Sequence, residues 1–157
     1  YPASIEEVAN SHPAISASAA VGMPDAYAGE VPVIFVVPMQ RQSIDVVEVA
    51  AFIQKRIAEP AAKPRHVFVV EELPTTTVGK IFKPALRDQA IVEKLRLEIE
   101  ALDSGVKLGR VAFSSNRQGR KLATITLNAS EEHRRWIEEK LGAALRDLTF
   151  STAVHWA

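Results

Sequence analysis

The chain has no cysteine, which excludes a disulfide framework, a zinc–thiolate centre and a thiol nucleophile. It also has no charge of one sign to spare: Lys+Arg 19 against Asp+Glu 19 leave a formal net charge of +0. Nucleic acid is a poor fit as main partner, because neutralising phosphates needs a clustered basic excess. Its longest apolar stretches, such as Val31 to Met39, fall far short of the roughly 20 residues of a membrane span. No signal-peptide pattern opens the chain, no internal repeat recurs and no low-complexity segment interrupts it. The expected location is cytoplasmic. The opening Tyr1-Pro2, without Met, leads us to expect a piece of a longer protein.

What is present is the composition of a soluble globular chain, 47% hydrophobic and 24% charged over 157 residues. A chain of this length can bury roughly 68–70% of its unfolded surface, enough for a core without staples. The charge is uneven. Residues 1–60 hold 3 basic and 7 acidic side chains, and residues 103–157 hold 9 and 6. That basic lean would suit an anionic ligand or another domain.

The first unit reads as mixed α and β. Ile5, Val8 and Ala9 give a short helical face that must stop before His12-Pro13. Ile15 to Met23 reads as a strand closed by the turn signal Pro24-Asp25, and Val31–Val37 as a strand rich in β-branched residues. Ser43 or Asp45 caps a helix with the face Val46, Val49, Ala50, Ile53 and Ile57. Residues 59–64 form a connector before a strand His66–Val70. The segment Leu73 to Lys80 is polar, turn-rich and exposed. Pro84 opens a long helix carrying Leu86, Ile91, Leu95, Ile99 and Leu102, ended by Asp103-Ser104-Gly105.

A second unit follows. Val106 to Phe113 and Leu122 to Asn128 read as strands joined by the polar loop Ser114–Lys121. Ser130 caps a helix with the face Ile137, Leu141, Leu145 and Leu148, and Phe150–Trp156 is a last strand. The expected class is α+β. A small mixed sheet flanked by helices occupies residues 1–102, with a β-β-α-β extension over 103–157 packed on it.

Several chemical readings fail on spacing. Gly79-Lys80 is not a phosphate-binding Walker loop, because that loop needs Gly where Pro74 stands and Ser or Thr where Ile81 stands. His12, His66, His133 and His155 are far apart, with no metal-motif spacing, and read as surface or half-buried imidazoles. Ser114, Ser115 and Ser151 lack a nucleophile-elbow context. The adjacent pairs Glu71-Glu72 and Glu131-Glu132 do not share a helix face and read as solvated charge.

The motifs carry more. Tyr1-Pro2 with Ile5-Glu6-Glu7-Val8, His12-Pro13 with Ile15, Ala20-Val21-Gly22-Met23-Pro24-Asp25 and Gly29-Glu30 with Pro32 stand in order. Lys63-Pro64, Leu73-Pro74, Thr77 with Gly79-Lys80-Ile81, and Leu86-Arg87 follow. This series, over roughly residues 1–90, resembles the C-terminal domain of the adenylate-forming acyl-CoA synthetases. The tail after Leu86-Arg87 looks most like bacterial fatty-acyl-CoA synthetases. The resemblance departs at Ala62, where an aromatic residue is common, at Ser4, where a Glu is common, and at Phe82-Lys83, which replaces the usual basic pair in part.

The resemblance implies an ATP-dependent ligation of a carboxylic acid, of long- or medium-chain fatty type, to CoA through an acyl-adenylate. ATP, Mg2+ and CoA would serve the full-length enzyme, with none bound by this chain alone, which is expected to be inactive. Lys80 matches the family's adenylation lysine. Gly79 supplies a backbone conformation or close approach beside it. Thr75, Thr76 and Thr77 read as turn-forming hydroxyls, with phosphate contact the other reading and Thr77 the candidate. Asp25 and Glu30 read as turn and hairpin residues. The implied partners are an N-terminal ATP- and acid-binding domain, absent here, and a lysine acetyltransferase acting on Lys80; a homo-oligomer stays open. Two alternatives also stay open. The acceptor is a carrier-protein thiol, or the tail, with Trp136, Phe150, Trp156 and the basic loop Arg117–Lys121, is a dimerisation or docking module.

Overall fold

The computed structural model describes residues 2–102 and 104–157. The chain is α+β and divides into two compact units. One holds the residues up to Met23 with Glu30–Ala90, the other Pro24–Gly29 with Ile91–Ala157.

In the first unit, helix α1 (Pro2–Asn10) buries Ile5 and Ala9, four residues apart on one face. It ends where Ser11 and His12 turn back to the carbonyls of Val8 and Ala9 ahead of Pro13. Strands β1 (Ile15–Asp25) and β2 (Gly29–Pro38) form a hairpin, and β3 (Val67–Val69) adds to β2 in parallel, giving the order β1-β2-β3. The first strand runs through Pro24 to Asp25, two residues beyond expectation. Pro24 is tolerated because β1 lies at the sheet edge.

Helix α2 (Val46–Arg56) is capped by Asp45, whose carboxylate accepts from Val47 N and Glu48 N at 3.1 and 3.2 Å. Val49 and Ile53 are fully buried, whereas Val46, expected in the same face, is 41% exposed. It opens the helix and has no preceding turn beneath it. The connector holds a short 3-10 turn at Pro60–Ala62. The core unites Ile5, Ile15, Ile34, Val36, Val49 and Ile53. Fully burying such a side chain stabilises by about 1.5–3 kcal/mol.

Helix α3 (Lys83–Ala101) starts one residue before Pro84, so proline sits in the first turn, where its missing N–H has no helical partner to lose. Leu86 is buried in the first unit, while Ile91, Leu95 and Ile99 enter the core of the second. There, β4 (Lys107–Ser115) and β5 (Lys121–Asn128) form an antiparallel pair with a bulge between Leu108 and Val111. Helix α4 (Glu131–Leu145) then crosses to β6 (Ser151–Trp156), parallel to β5. The β-β-α-β order matches expectation. Ala123, Ile125 and Leu127 of β5 alternate inward against Ile137, Leu141 and Leu145 of α4.

Two capping and loop details differ from the sequence reading. Ser130 occupies the N-cap of α4, but its hydroxyl pairs with His133 Nδ1 at 2.6 Å rather than with helix amides. Arg120, in the segment read from sequence as a polar loop, aims its guanidinium at the carbonyls of Leu148 and Phe150, where α4 gives way to β6. Carbonyls beyond a helix end lack intrahelical donors, and a guanidinium supplies them.

Candidate active-site loop

The most chemically suggestive feature is a tight hairpin over residues 74–82. Phe82 N donates to Pro74 O at 2.8 Å, and Thr75 and Ile81 form an antiparallel bridge. Inside it, Thr76 N donates to Lys80 O at 2.6 Å and Gly79 N to Thr76 O at 2.9 Å. The Thr76 hydroxyl completes the ring by accepting from Lys80 N at 3.2 Å. Of the three threonines, Thr76 is thus the turn former, and Thr77 stands exposed at the tip.

Gly79 has φ +84°, in the left-handed region, while a Cβ built on it would meet nothing within 4 Å. Glycine is therefore required for backbone conformation, and no close approach among the described residues explains it. Lys80 and Val78 project from the tip, Val78 being 83% exposed. Among the described residues, the Lys80 ammonium meets no hydrogen-bond or ion-pair partner. The arrangement is a backbone closed on itself that carries the exposed Lys80 side chain.

Below the hairpin, Lys83 opens α3. Its Nζ lies 3.1 and 3.3 Å from the two oxygens of Glu6 on α1 and 2.7 Å from Ala20 O on β1. This three-element contact was not foreseen from the sequence. The only trace it leaves there is a lysine at the start of a helix with no acidic residue in its first turn.

The remaining candidates are structural. Asp25 accepts from Tyr27 N and Ala28 N at 3.0 and 2.8 Å, a turn built by its own side chain. Glu30 lies over Gly22, where a Cβ would fall 2.2 Å from its Oε1. His12, read from sequence as a surface or half-buried imidazole, is buried: Nδ1 accepts from Ala14 N at 3.0 Å, Nε2 meets Glu48 at 2.8 Å, and the ring packs edge-on against Phe52. Its polar atoms are satisfied, which is why the interior accommodates it. His66 stacks on Phe68 with ring centroids 5.6 Å apart. Among the described residues, no group of three or more His, Cys, Asp or Glu side chains could hold a metal ion. None of their helices is long and apolar enough to cross a membrane.

In the tail, Phe150 is in the core, whereas Trp156 is half-buried with Nε1 donating to Glu138 at 2.6 Å. Trp136 stands 41% exposed, with the Lys140 ammonium 6.0 Å from its ring centre.

A small α+β domain that presents a lysine on a closed hairpin defines a recognisable class. Residues 4–80 match the family model described as the AMP-binding enzyme C-terminal domain, and this segment belongs to that family within the acyl-CoA ligases. The match ends at Lys80. The chain is 34% identical over 149 residues to marinolic acid–CoA ligase from Pseudoalteromonas sp. (strain SANK 73390), covering 95% of this chain and 23% of that protein. It is 41% identical over 91 residues to the putative acyl–CoA ligase YdaB from Bacillus subtilis (strain 168), covering 58% and 18%. Among solved structures, the Mycobacterium tuberculosis fatty acyl CoA synthetase superposes with a TM-score of 0.51 at 32% identity, covering 57% of this chain and 17% of that one. The chain thus spans less than a quarter of the length of these relatives. The marinolic acid–CoA ligase match is long enough to reach into both units.

Proposed function

We propose that the chain is the mobile C-terminal domain of an ATP-dependent acid–CoA ligase and that Lys80 is its adenylation lysine. The ligase joins a carboxylic acid to ATP, releasing pyrophosphate and leaving an acyl-adenylate. The CoA thiol then displaces AMP to give the thioester. The observation that carries this reading is the uncommitted ammonium of Lys80 at the tip of a hairpin closed by its own backbone.

The chemistry needs such a group. A carboxylate approaching an α-phosphate brings two anions together, and one ammonium near both relieves the repulsion. A unit charge pair at about 4 Å is worth on the order of 4 kcal/mol at an effective dielectric of about 20. That would lower the barrier by about three powers of ten. A domain that carries the lysine in also expels water from a hydrolysable adenylate. Gly79 holds the backbone that aims Lys80, and Thr77, exposed beside it, would touch a phosphate.

ATP and the acid bind mainly to the N-terminal domain that precedes this one in the relatives. Mg2+ would accompany the ATP phosphates. The described residues hold no ligand cluster for it. The substrate we favour is a medium- or long-chain fatty acid, in keeping with the fatty acyl CoA synthetase relative, and the location we favour is the cytoplasm. Exposure of the hairpin also makes Lys80 reachable by a lysine acetyltransferase, which would remove its charge while keeping its stem.

The test is Lys80→Ala in the full-length enzyme, with acids screened for ATP- and CoA-dependent AMP release. Adenylation is expected to fall by roughly 2–4 kcal/mol in transition-state stabilisation. Thioester formation from supplied acyl-adenylate is expected to be largely spared. Equal loss in both half-reactions would make Lys80 structural and end the proposal.

A further inference from the structure

Lys83 breaks a local rule. It is the first residue of α3, whose first turn contains no acidic side chain, so a cation sits at the end of the helix where the macrodipole disfavours it. The compensation comes from elsewhere in the fold. Glu6, 77 residues earlier, approaches the ammonium with both oxygens at 3.1 and 3.3 Å, and Ala20 O accepts from it at 2.7 Å. Ala20 belongs to the edge strand β1, so Lys83 ties the start of α3 to both α1 and an edge of the sheet. Its side chain is 33% exposed and that of Glu6 20%. A cation placed against the dipole and then held by three acceptor atoms is a sign of a position with a job beyond helix stability.

That job is legible from what Lys83 follows. The hairpin over residues 74–82 is closed by bonds within itself, so its aim depends on its two stems. On entry, the last bond to the sheet is Val70 N to Val36 O at 3.0 Å, and residues 71–73 have no regular secondary structure. On exit, Phe82 closes the hairpin and the very next residue is Lys83.

We propose that Lys83 is a positioning residue for Lys80: its contact with Glu6 and Ala20 O clamps the exit of the hairpin to α1 and β1 and thereby aims the Lys80 ammonium. This rests on the reading of Lys80 as the adenylation lysine. It requires no contact between Lys83 and substrate.

The experiment measures acid-dependent ATP–pyrophosphate exchange in the full-length enzyme, using an acid that the unaltered enzyme adenylates. Lys83→Met keeps the stem and removes the charge. It is expected to lower kcat about 10-fold or more, since a displacement of about 1 Å at a reacting group can cost 10²-fold. KM for ATP and acid should move by less than about threefold, because the ground-state contacts are made elsewhere. Lys83→Arg, which can still donate to both acceptors, should recover most of the rate.

The discriminating arm is the Lys80→Ala background. A residue that acts through Lys80 has nothing left to aim, so adding Lys83→Met should cause no further loss. Wild-type kcat in Lys83→Met, or a full additional loss in the Lys80→Ala background, overturns the inference. If Lys83→Met does not fold, Glu6→Gln is read in its place, with a loss in the same direction expected and an unchanged kcat decisive against the clamp. The two readings fail separately. A fully active Lys80→Ala enzyme removes the role of Lys80 itself, whereas a crippled Lys80→Ala beside an unaffected Lys83→Met removes only the clamp.

Discussion

Gly79→Ala isolates backbone conformation from every other variable in the lysine hairpin. The added Cβ meets nothing within 4 Å, so no collision contributes. The whole penalty comes from holding an L-residue at φ +84°, which costs roughly 1–2 kcal/mol. Against it stand a few local hydrogen bonds, each worth about 0.5–1.5 kcal/mol net, so the penalty is a large share of what closes the loop. The hairpin should therefore open about 5–30 times more often while the domain core is untouched. Native-state hydrogen exchange at the Thr76 and Phe82 amides reads this opening directly, and protection at both should fall by that factor. Amides in β2 should be unchanged. Gly79→Asn should cost less than Gly79→Ala, because asparagine tolerates the left-handed region better. Unchanged protection in Gly79→Ala, or equal loss in both variants, would refute the argument that conformation alone demands glycine here.

Ile53→Ala, which empties a fully buried position on α2, should cost about 2–5 kcal/mol in denaturant unfolding of the first unit. The two N-caps should respond differently. Asp45→Ala should destabilise by about 1 kcal/mol because its carboxylate accepts two helix amides, while Ser130→Ala should stay within about 0.5 kcal/mol because its hydroxyl bonds a histidine ring instead. Parallel thermal melts of the two variants check that contrast.

The elements most legible in the sequence were those whose periodicity runs long. The β-branched run of β2, the Val49–Ile53 face of α2 and the inward alternation of β5 each appear where hydrophobic spacing put them. The strand expected over His66–Val70 shrinks to Val67–Val69 because its parallel register spans only Ile34 to Val36 of its partner, a limit set by pairing rather than propensity. Within the candidate site, the turn residues Gly79 and Pro74 announce the hairpin. Which threonine closes it does not show, since Thr75, Thr76 and Thr77 share one chemistry and only the register of the Thr75–Ile81 bridge separates them. Lys83 and His12 were hidden for a different reason. Their partners Glu6 and Glu48 lie 77 and 36 residues away, and no local pattern encodes a contact across that distance.

On the proposed function, the self-contained closure of the hairpin bears on the entropy of catalysis as well as on its geometry. Fixing a residue's backbone costs about 1–2 kcal/mol of conformational entropy, so ordering roughly nine residues at the moment of catalysis would add on the order of 10 kcal/mol to each encounter. Here the bonds from Thr76 to Lys80 and from Phe82 to Pro74 are already made in the domain by itself. That ordering is completed when the domain folds, and the proposed turnover would not need to repeat it. On the proposed function, each return of the loop to the reacting groups would cost mainly the freedom of the Lys80 side chain.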